Sequence, residues 1–327
     1  MNMLTLKEEA MLSQDKLDLY YNGLCQYAKD RKLTNTTWGT TTIAPKLKRI
    51  TNVIADKLID VLAGGAVVKI SDGQGNIPDG PVIFAHTHQG ILDNFSWIPA
   101  TPRHAIIFHS AVVKKFLIVA QLNTGLILVN KGDSQSRSNA KLDTIKLLLD
   151  GHSIAFFPES AWNLSPNKLH LPMNFGFIDI AKKTGVPIVP VVDEYTYDSS
   201  AEKERIKRIH IRFGKPIQVT RMDSVKDKLE EYQEAISTIR WELFEEKGVF
   251  RRDNISNTEY MNFIEGNLKN LKMGGIDVNI EQKYSWNSED EFYVFHNYNM
   301  VSCDEKGNLL GTEEEKRLKR VNELHGI

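Results

Sequence analysis

Residues 81–93 read PVIFAHTHQGILD, an apolar run that ends at a histidine and is followed by a turn and a helical pattern. Similar short apolar or β-branched runs recur between residues 67 and 213, and helical stretches separate several of them. Strands that are apolar throughout are typical of a largely parallel sheet with both faces covered by helices. The sequence therefore predicts an α/β fold with a mixed, largely parallel sheet flanked by helices. The runs are VVKI (67–70), PVIFAH (81–86), HAIIFHS (104–110), LILV (126–129), SIAFF (153–157), PIVPVV (187–192) and IHIRF (209–213).

Helical periodicity outside these runs divides the chain into three parts. We expect an N-terminal helical region (1–64), an α/β domain (65–247) and a C-terminal extension of unknown role (248–327). The predicted helices are about Leu6–Arg31, Ile43–Leu62, Ser136–Leu149, Phe175–Thr184, Ser224–Glu246, Asn257–Leu271 and Glu313–Leu324. Two prolines, Pro187 and Pro190, argue against a regular central strand at 187–192, because proline cannot donate to a ladder. We expect that run to form a stiff wall.

Composition excludes several classes of protein. The 41 Lys+Arg and 42 Asp+Glu residues leave a net charge of -1, without the basic excess of a nucleic-acid binder, so we expect no nucleic-acid partner. The two cysteines, Cys25 and Cys303, match no metal-ligand spacing, so neither a metal site nor a disulfide framework is expected. We find no signal-peptide pattern and no long apolar span, and free thiols fit a reducing compartment. These features predict a cytoplasmic location.

A His-x4-Asp pair follows the second predicted strand. The strand ends near His86 and a helix can begin near Gln89, so His88 lies at the carboxyl edge of the sheet, where open α/β sheets place their ligands. If the chain turns there, the Asp93 carboxylate can reach Nδ1 of His88, fix its tautomer and leave Nε2 to act as a base. A pair with this spacing also arises easily by chance. His86 has no Asp five residues on and is expected to be a neighbour of the base.

Polar residues follow two further predicted strands. Lys131 comes shortly after LILV, where an ammonium group can meet an anionic substrate as a point charge; a solvated loop lysine is the ordinary alternative. Glu159 and Ser160 follow SIAFF. Glu159 by itself fits either a substrate contact or a loop carboxylate.

Together these segments resemble the glycerol-3-phosphate and lysophosphatidate acyltransferase family, over about residues 43–246. The order and spacing match the four sequence blocks of that family. The matching residues are His88 with Asp93, Gly125 to Lys131, Phe157-Pro158-Glu159-Ser160, and Val186 to Val191. The first and third blocks, with the second between them, make the resemblance specific.

The resemblance implies an acyltransferase that moves a fatty acyl group from an acyl thioester to a hydroxyl acceptor. The donor would be acyl-CoA or acyl carrier protein, and the first candidate acceptor is a glycerophospholipid precursor such as lysophosphatidate. His88 would be the base and Asp93 its orienting group, and the substrate-binding residues would be Lys131, Glu159, Ser160 and Gly125. The thioester is a co-substrate, and no bound cofactor is implied.

The chain departs from the family pattern on the acceptor side. Ser160, Ala161 and Trp162 stand where the family usually has Gly-Thr-Arg, and Lys131 stands where it usually has Arg. A point charge does not reproduce the bidentate fork of a guanidinium group on a phosphate. O-acylation of a sugar or amino-alcohol, and a non-catalytic lipid-binding relative, therefore remain alternatives.

The helix predicted at residues 43–62 bears on membrane contact. Its apolar residues recur every three or four positions and form one stripe, and Lys46, Lys48 and Arg49 lie near its start. The stripe can pack on the core of the domain. It can also enter one leaflet while the basic residues meet anionic head groups, which would place the protein peripherally on the inner face of the membrane.

Overall fold

Helices cover both faces of one seven-stranded sheet. The computed structural model describes residues 3–37, 40–41, 45–90, 92–110, 125–130, 133–160, 163, 169–171, 173–198 and 205–247. The predicted C-terminal extension, with its two helices, lies outside the described residues, as do Lys131, Ala161 and Trp162.

The strands, in chain order, are β1 (Val68–Asp72), β2 (Ile83–His86), β3 (Ala105–Ser110), β4 (Leu126–Val129), β5 (Ser153–Phe156), β6 (Ile188–Asp198) and β7 (Arg205–Phe213). Their order in the sheet is β1-β7-β6-β2-β5-β3-β4. All neighbours pair in parallel except β6 and β7, which are antiparallel. The predicted mixed, largely parallel sheet is confirmed.

The described α-helices are α1 (Leu6–Ala10), α2 (Gln14–Asp30), α3 (Lys48–Leu62), α4 (Asp93–Ala100), α5 (Ser134–Leu149), α6 (Gly176–Thr184) and α7 (Val225–Lys247). Successive residues of a strand point to opposite faces, and β2 shows both layers. Phe84 packs in a cluster that contains residues of α3 and α4. Its neighbours Ile83 and Ala85 belong to a second cluster, with residues of α2, α5, α6 and α7.

The prediction of one helix over Leu6–Arg31 is wrong, because the chain forms α1 and α2 there. Thr5 and Glu8 form a capping box that starts α1, and Ser13 has an extended backbone at the start of α2. A residue with extended backbone cannot continue a helix. The Tyr21 hydroxyl donates to Glu9 Oε2 over 2.8 Å and joins the two helices.

The expectation that Pro190 excludes a central strand is also wrong, since β6 pairs with β2 on one side and β7 on the other. Its bonds to β2 use the carbonyls of Pro187 and Val191, which accept from Ile83 N (2.9 Å) and Thr87 N (3.0 Å). The Pro190 carbonyl faces the other way and accepts from Gly214 N over 2.8 Å. The missing N–H of Pro190 therefore faces Gly214, one residue beyond the end of β7, and not β2, so only the last bond of the ladder with β7 is lost.

The predicted apolar stripe of α3 is only partly buried. The residues of α3 that are buried are Thr51, Ala55 and Ile59. The exposed apolar side chains of this helix are Ile50 (55%), Val53 (60%), Ile54 (39%) and Val61 (74%). The alternative in which the whole stripe packs on the core is therefore wrong.

Lys48 differs from the other basic residues at the start of α3. Its Nζ donates to Asn52 Oδ1 over 2.8 Å and to the carbonyl oxygen of Ile98. Burial lowers the pKa of Lys48 to about 8. Lys48 therefore ties α3 to α4, whereas Lys46 and Arg49 are exposed.

Candidate active site

The turn between β2 and α4 brings His88 against Asp93. β2, β5 and β6 run parallel, so the turns that follow β2 and β5 leave the same edge of the sheet. His88 Nδ1 lies 2.9 Å from Asp93 Oδ2, which is the contact expected from the spacing. The Asp93 side chain is fully buried, whereas the His88 side chain is 14% exposed. A base at this position is within reach of a substrate.

Backbone and side-chain donors hold the Asp93 carboxylate in place. Oδ2 also accepts from Gly90 N over 2.8 Å and from Gln89 N. Oδ1 accepts from the hydroxyl group of Tyr195. Burial raises the pKa of Asp93 well above its usual range, and the charge of Asp193 raises it further, while the two amide bonds lower it. With a carboxylate at Nδ1, the imidazole of His88 has Nε2 on its opposite edge for proton transfer.

Glu159 binds the backbone of the turn that contains His88. Its side chain is buried (0% exposed). Oε1 accepts from His88 N over 3.1 Å, and Oε2 accepts from Leu171 N over 2.9 Å. The carboxylate therefore contacts the backbone of the candidate base, whereas the family resemblance implies a contact with the substrate.

Ser160 lies at the end of the same turn. Its φ of 55° is left-handed, and its Oγ accepts from Asn174 Nδ2 over 2.7 Å. Two bonds join this segment to its surroundings: Asn163 N donates to the His88 carbonyl, and Asn174 N donates to the Pro158 carbonyl over 2.9 Å.

Gly125 is not brought together with His88. It precedes β4, and the registers of the parallel strands place its neighbour Leu126 level with Phe84. Gly125 therefore lies towards the amino edge of the sheet, away from the turn that holds His88. Its φ is 71°, and an added Cβ would lie 2.9 Å from Thr40 Cα, so glycine is required there by the backbone. Lys131 lies outside the described residues.

Sequence reasoning missed the polar groups of β6. Asp193, Glu194 and Tyr195 follow directly on the apolar run 187–192, which is the same signal that marked His88 and Glu159. The two prolines argue against a strand at 187–192, so no strand end is expected at Asp193. Gln89 Nε2 donates to the Asp193 carbonyl over 2.9 Å and to Glu194, so the turn of His88 is fastened to β6.

Comparisons with known proteins give one consistent result. A family model described as Acyltransferase matches residues 69–193. A 1-acyl-sn-glycerol-3-phosphate acyltransferase of Borreliella burgdorferi is 31% identical over 125 residues, which are 37% of this chain and 49% of that protein. The chloroplastic 1-acyl-sn-glycerol-3-phosphate acyltransferase BAT2 of Brassica napus is 28% identical over 122 residues, 36% of this chain and 35% of that protein.

Among solved structures, the 1-acyl-sn-glycerophosphate acyltransferase PlsC of Thermotoga maritima matches with a TM-score of 0.46 and 18% identity, over 68% of this chain and 88% of that chain. The chain spans half or less of the length of the two curated relatives it matches. The matched segment contains most of β1, all of β2 to β5, the His88–Asp93 pair and Glu159. Residues 69–193 of this chain are therefore similar to the acyltransferase family.

Proposed function

We propose that this protein transfers a fatty acyl group from an acyl thioester to a hydroxyl acceptor, and that the acceptor is a glycerophospholipid precursor such as lysophosphatidate. The observation that carries the proposal is the contact of 2.9 Å between His88 Nδ1 and a buried carboxylate, Asp93, inside the segment matched by the acyltransferase model. The lysophosphatidate acceptor follows from the names of the similar proteins.

The proposed reaction is direct and passes through no acyl-enzyme. His88 Nε2 takes the proton of the acceptor hydroxyl while the oxygen attacks the thioester carbonyl, which forms a C–O bond and a tetrahedral oxyanion. The C–S bond then breaks, and the imidazolium returns the proton to the leaving thiolate. Asp93 holds the tautomer that this sequence requires, and such a base contributes about 100- to 10,000-fold to the rate.

The remaining groups divide between support and binding. Glu159 fixes the turn of His88 through its backbone amide, so we assign it to positioning of the base. The Ser160 hydroxyl accepts from Asn174 and keeps its own proton for an acceptor oxygen. Lys131 stays a proposed contact for an anionic head group. Acyl-CoA or acyl carrier protein would enter as a co-substrate, and the chemistry proposed needs no bound cofactor.

We also propose that α3 contacts the membrane surface. Its exposed apolar side chains, Ile50, Val53 and Ile54, lie next to the exposed Arg49 and Lys46 at the start of the helix. An apolar helix face flanked by basic residues suits the inner, anionic leaflet, where an acyl product is delivered. No helix among the described residues is long and apolar enough to cross a membrane.

The experiment that tests the reaction measures thiol release from a labelled acyl-CoA or acyl carrier protein, with and without acceptor. A transferase releases thiol only when lysophosphatidate or another acceptor is present and forms the acylated product.

The rate of thiol release should fall about 100-fold or more in His88→Ala, because a general base is removed. Most of the release should also be lost in Asp93→Asn. A His88→Ala variant that keeps a tenth of the wild-type rate excludes His88 as the base. Release without acceptor indicates a hydrolase, and none at all indicates a binding protein.

A further inference from the structure

Asp193 is a buried carboxylate that the proposed reaction does not use. It lies in β6 and is 0% exposed. Oδ1 accepts from Ser96 Oγ over 2.7 Å, and Oδ2 lies 3.1 Å from His86 Nδ1. Ser96 belongs to α4, the helix that Asp93 begins, so Asp193 lies near the candidate pair. A negative charge at Asp193 raises the pKa of Asp93.

His86 is the second side chain in contact with Asp193. The His86 side chain is fully buried, and its ring lies 5.2 Å from the ring of Trp97 and 5.3 Å from that of Phe157. Nε2 of His86 has no hydrogen-bond partner in the described part of the chain.

Tyr195 acts on the same carboxylate from the other side. Its side chain is buried, and its hydroxyl group donates to Asp93 Oδ1. A hydrogen bond to the charged form of a carboxylate stabilises that form. The bond therefore draws charge away from the oxygen that faces His88 and makes the pair a weaker proton acceptor.

Other charged and titratable groups lie on the elements packed around the pair. Glu194 of β6 pairs with Arg240 of α7 at 2.8 Å, and His210 of β7 is the register partner of Glu194. Glu159, after β5, accepts from two backbone amides, and Lys48 of α3 donates to Ile98 in α4.

We infer that Asp193 and Tyr195 are positioning residues that act through Asp93 and set the proton affinity of the His88–Asp93 pair in opposite directions. Asp193 increases that affinity through its charge, and Tyr195 decreases it through its hydrogen bond. The functional meaning rests on the proposed function, in which His88 takes the proton of the acceptor hydroxyl. If Asp193 and Tyr195 only supported the fold, there would be no reason for their replacement to shift the proton affinity of the pair in opposite directions.

The test is an NMR titration of the imidazole signals in the full-length protein, which needs no substrate. The His88 signal is identified among the nine histidines by its loss in His88→Ala. Asp193→Asn should lower the titration midpoint of the His88–Asp93 pair by about 0.5 to 1 pH unit, and Tyr195→Phe should raise it by a similar amount, as expected for loss of a nearby charge or hydrogen bond. The acidic limb of kcat/KM for acyl transfer should move in the same two directions.

Two buried pairs away from the site provide matched controls. Tyr21→Phe removes a buried hydroxyl bonded to Glu9 at 2.8 Å, and Asp143→Asn removes a buried carboxylate bonded to Arg31 at 2.8 Å. Neither should move the His88 midpoint. Shifts of the same sign in Asp193→Asn and Tyr195→Phe, or shifts no larger than those of the controls, overturn the inference. If Asp193→Asn does not fold, Tyr195→Phe decides. If the wild type transfers no acyl group, the proposed function fails while the titration still decides the inference.

Discussion

At the scale of single residues, Ser160 has a backbone conformation that costs free energy. Its φ is 55°, and it is the one non-glycine residue with a left-handed φ among those the structure describes. This conformation costs a residue with a Cβ about 1–2 kcal/mol. Glycine stands at this position in the family that the block resembles, and it would avoid the cost. Compared with glycine, serine adds a hydroxyl group and its hydrogen bond to Asn174.

Two substitutions at Ser160 separate strain from hydrogen bonding. Both Ser160→Ala and Ser160→Gly lose the bond to Asn174, but only Ser160→Ala keeps the strained Cβ. We expect Ser160→Ala to have a free energy of unfolding about 1 kcal/mol lower than Ser160→Gly, as measured by urea denaturation. Equal values for the two variants would show that the left-handed backbone costs nothing here. If the hydroxyl contacts the acceptor as proposed, both variants should raise the KM for the acceptor more than the KM for the thioester.

At the scale of elements, α3 should bind anionic membranes through two kinds of side chain. We expect the full-length protein to sediment with liposomes that contain anionic lipid, and the bound fraction to fall as salt is raised. Replacing Lys46 and Arg49 by Gln should weaken binding by roughly 2 kcal/mol, at about 1 kcal/mol for each basic residue near the surface. Replacing Ile50 and Val53 by Gln should weaken binding to neutral and anionic liposomes alike, because the apolar contact is lost.

Matched substitutions elsewhere control for charge and hydropathy. Lys16 and Lys215 are exposed, and Leu19 of α2 is 74% exposed, so Lys16→Gln with Lys215→Gln, and Leu19→Gln, should leave binding unchanged. Lys48 is bonded to Ile98, so Lys48→Gln should lower the free energy of unfolding by more than it weakens the free energy of lipid binding. Equal losses from the control set and the α3 set would exclude α3 as the contact surface.

The strands and the site also show which features could be predicted from the sequence. The run 126–129 was predicted as a strand and coincides with β4, because an apolar β-branched run has one face on each helical layer. The His88–Asp93 contact was predicted from spacing, since five residues across a strand-to-helix turn suffice to close it. The contact of Tyr195 with Asp93 spans 102 residues. It depends on the register between β2 and β6, and periodicity along one segment holds no information about register between two strands.

At the scale of the whole molecule, a buried ionic cluster joins the N-terminal helices to the α/β domain. Lys183 of α6 pairs with Glu9 of α1 at 2.7 Å and with Asp179 on its own helix. Lys141 of α5 also pairs with Asp179. These contacts cross the boundary predicted between residues 1–64 and 65–247, so the two parts are coupled in stability. Removing one partner of a buried ion pair typically costs 3–5 kcal/mol.

This cluster should make the stability of the protein sensitive to acid. Burial raises the pKa of Asp179, but the charges of Lys141 and Lys183 outweigh it and hold that pKa below its usual range. A carboxyl group with a lowered pKa in the folded state stabilises the fold at pH values above the pKa of the unfolded chain, about 4, and this contribution is lost as the pH falls through the folded value. Urea denaturation of the wild type should therefore show a steep loss of stability below about pH 4.

The variant Asp179→Asn should be less stable at pH 7, by about 3 kcal/mol, and its free energy of unfolding should depend less steeply on pH in the acid range. Asp150→Asn, which removes a partly exposed partner of Lys146, should leave the slope near that of the wild type, and an Asp179→Asn curve parallel to the wild-type curve would show that the cluster does not carry the acid sensitivity.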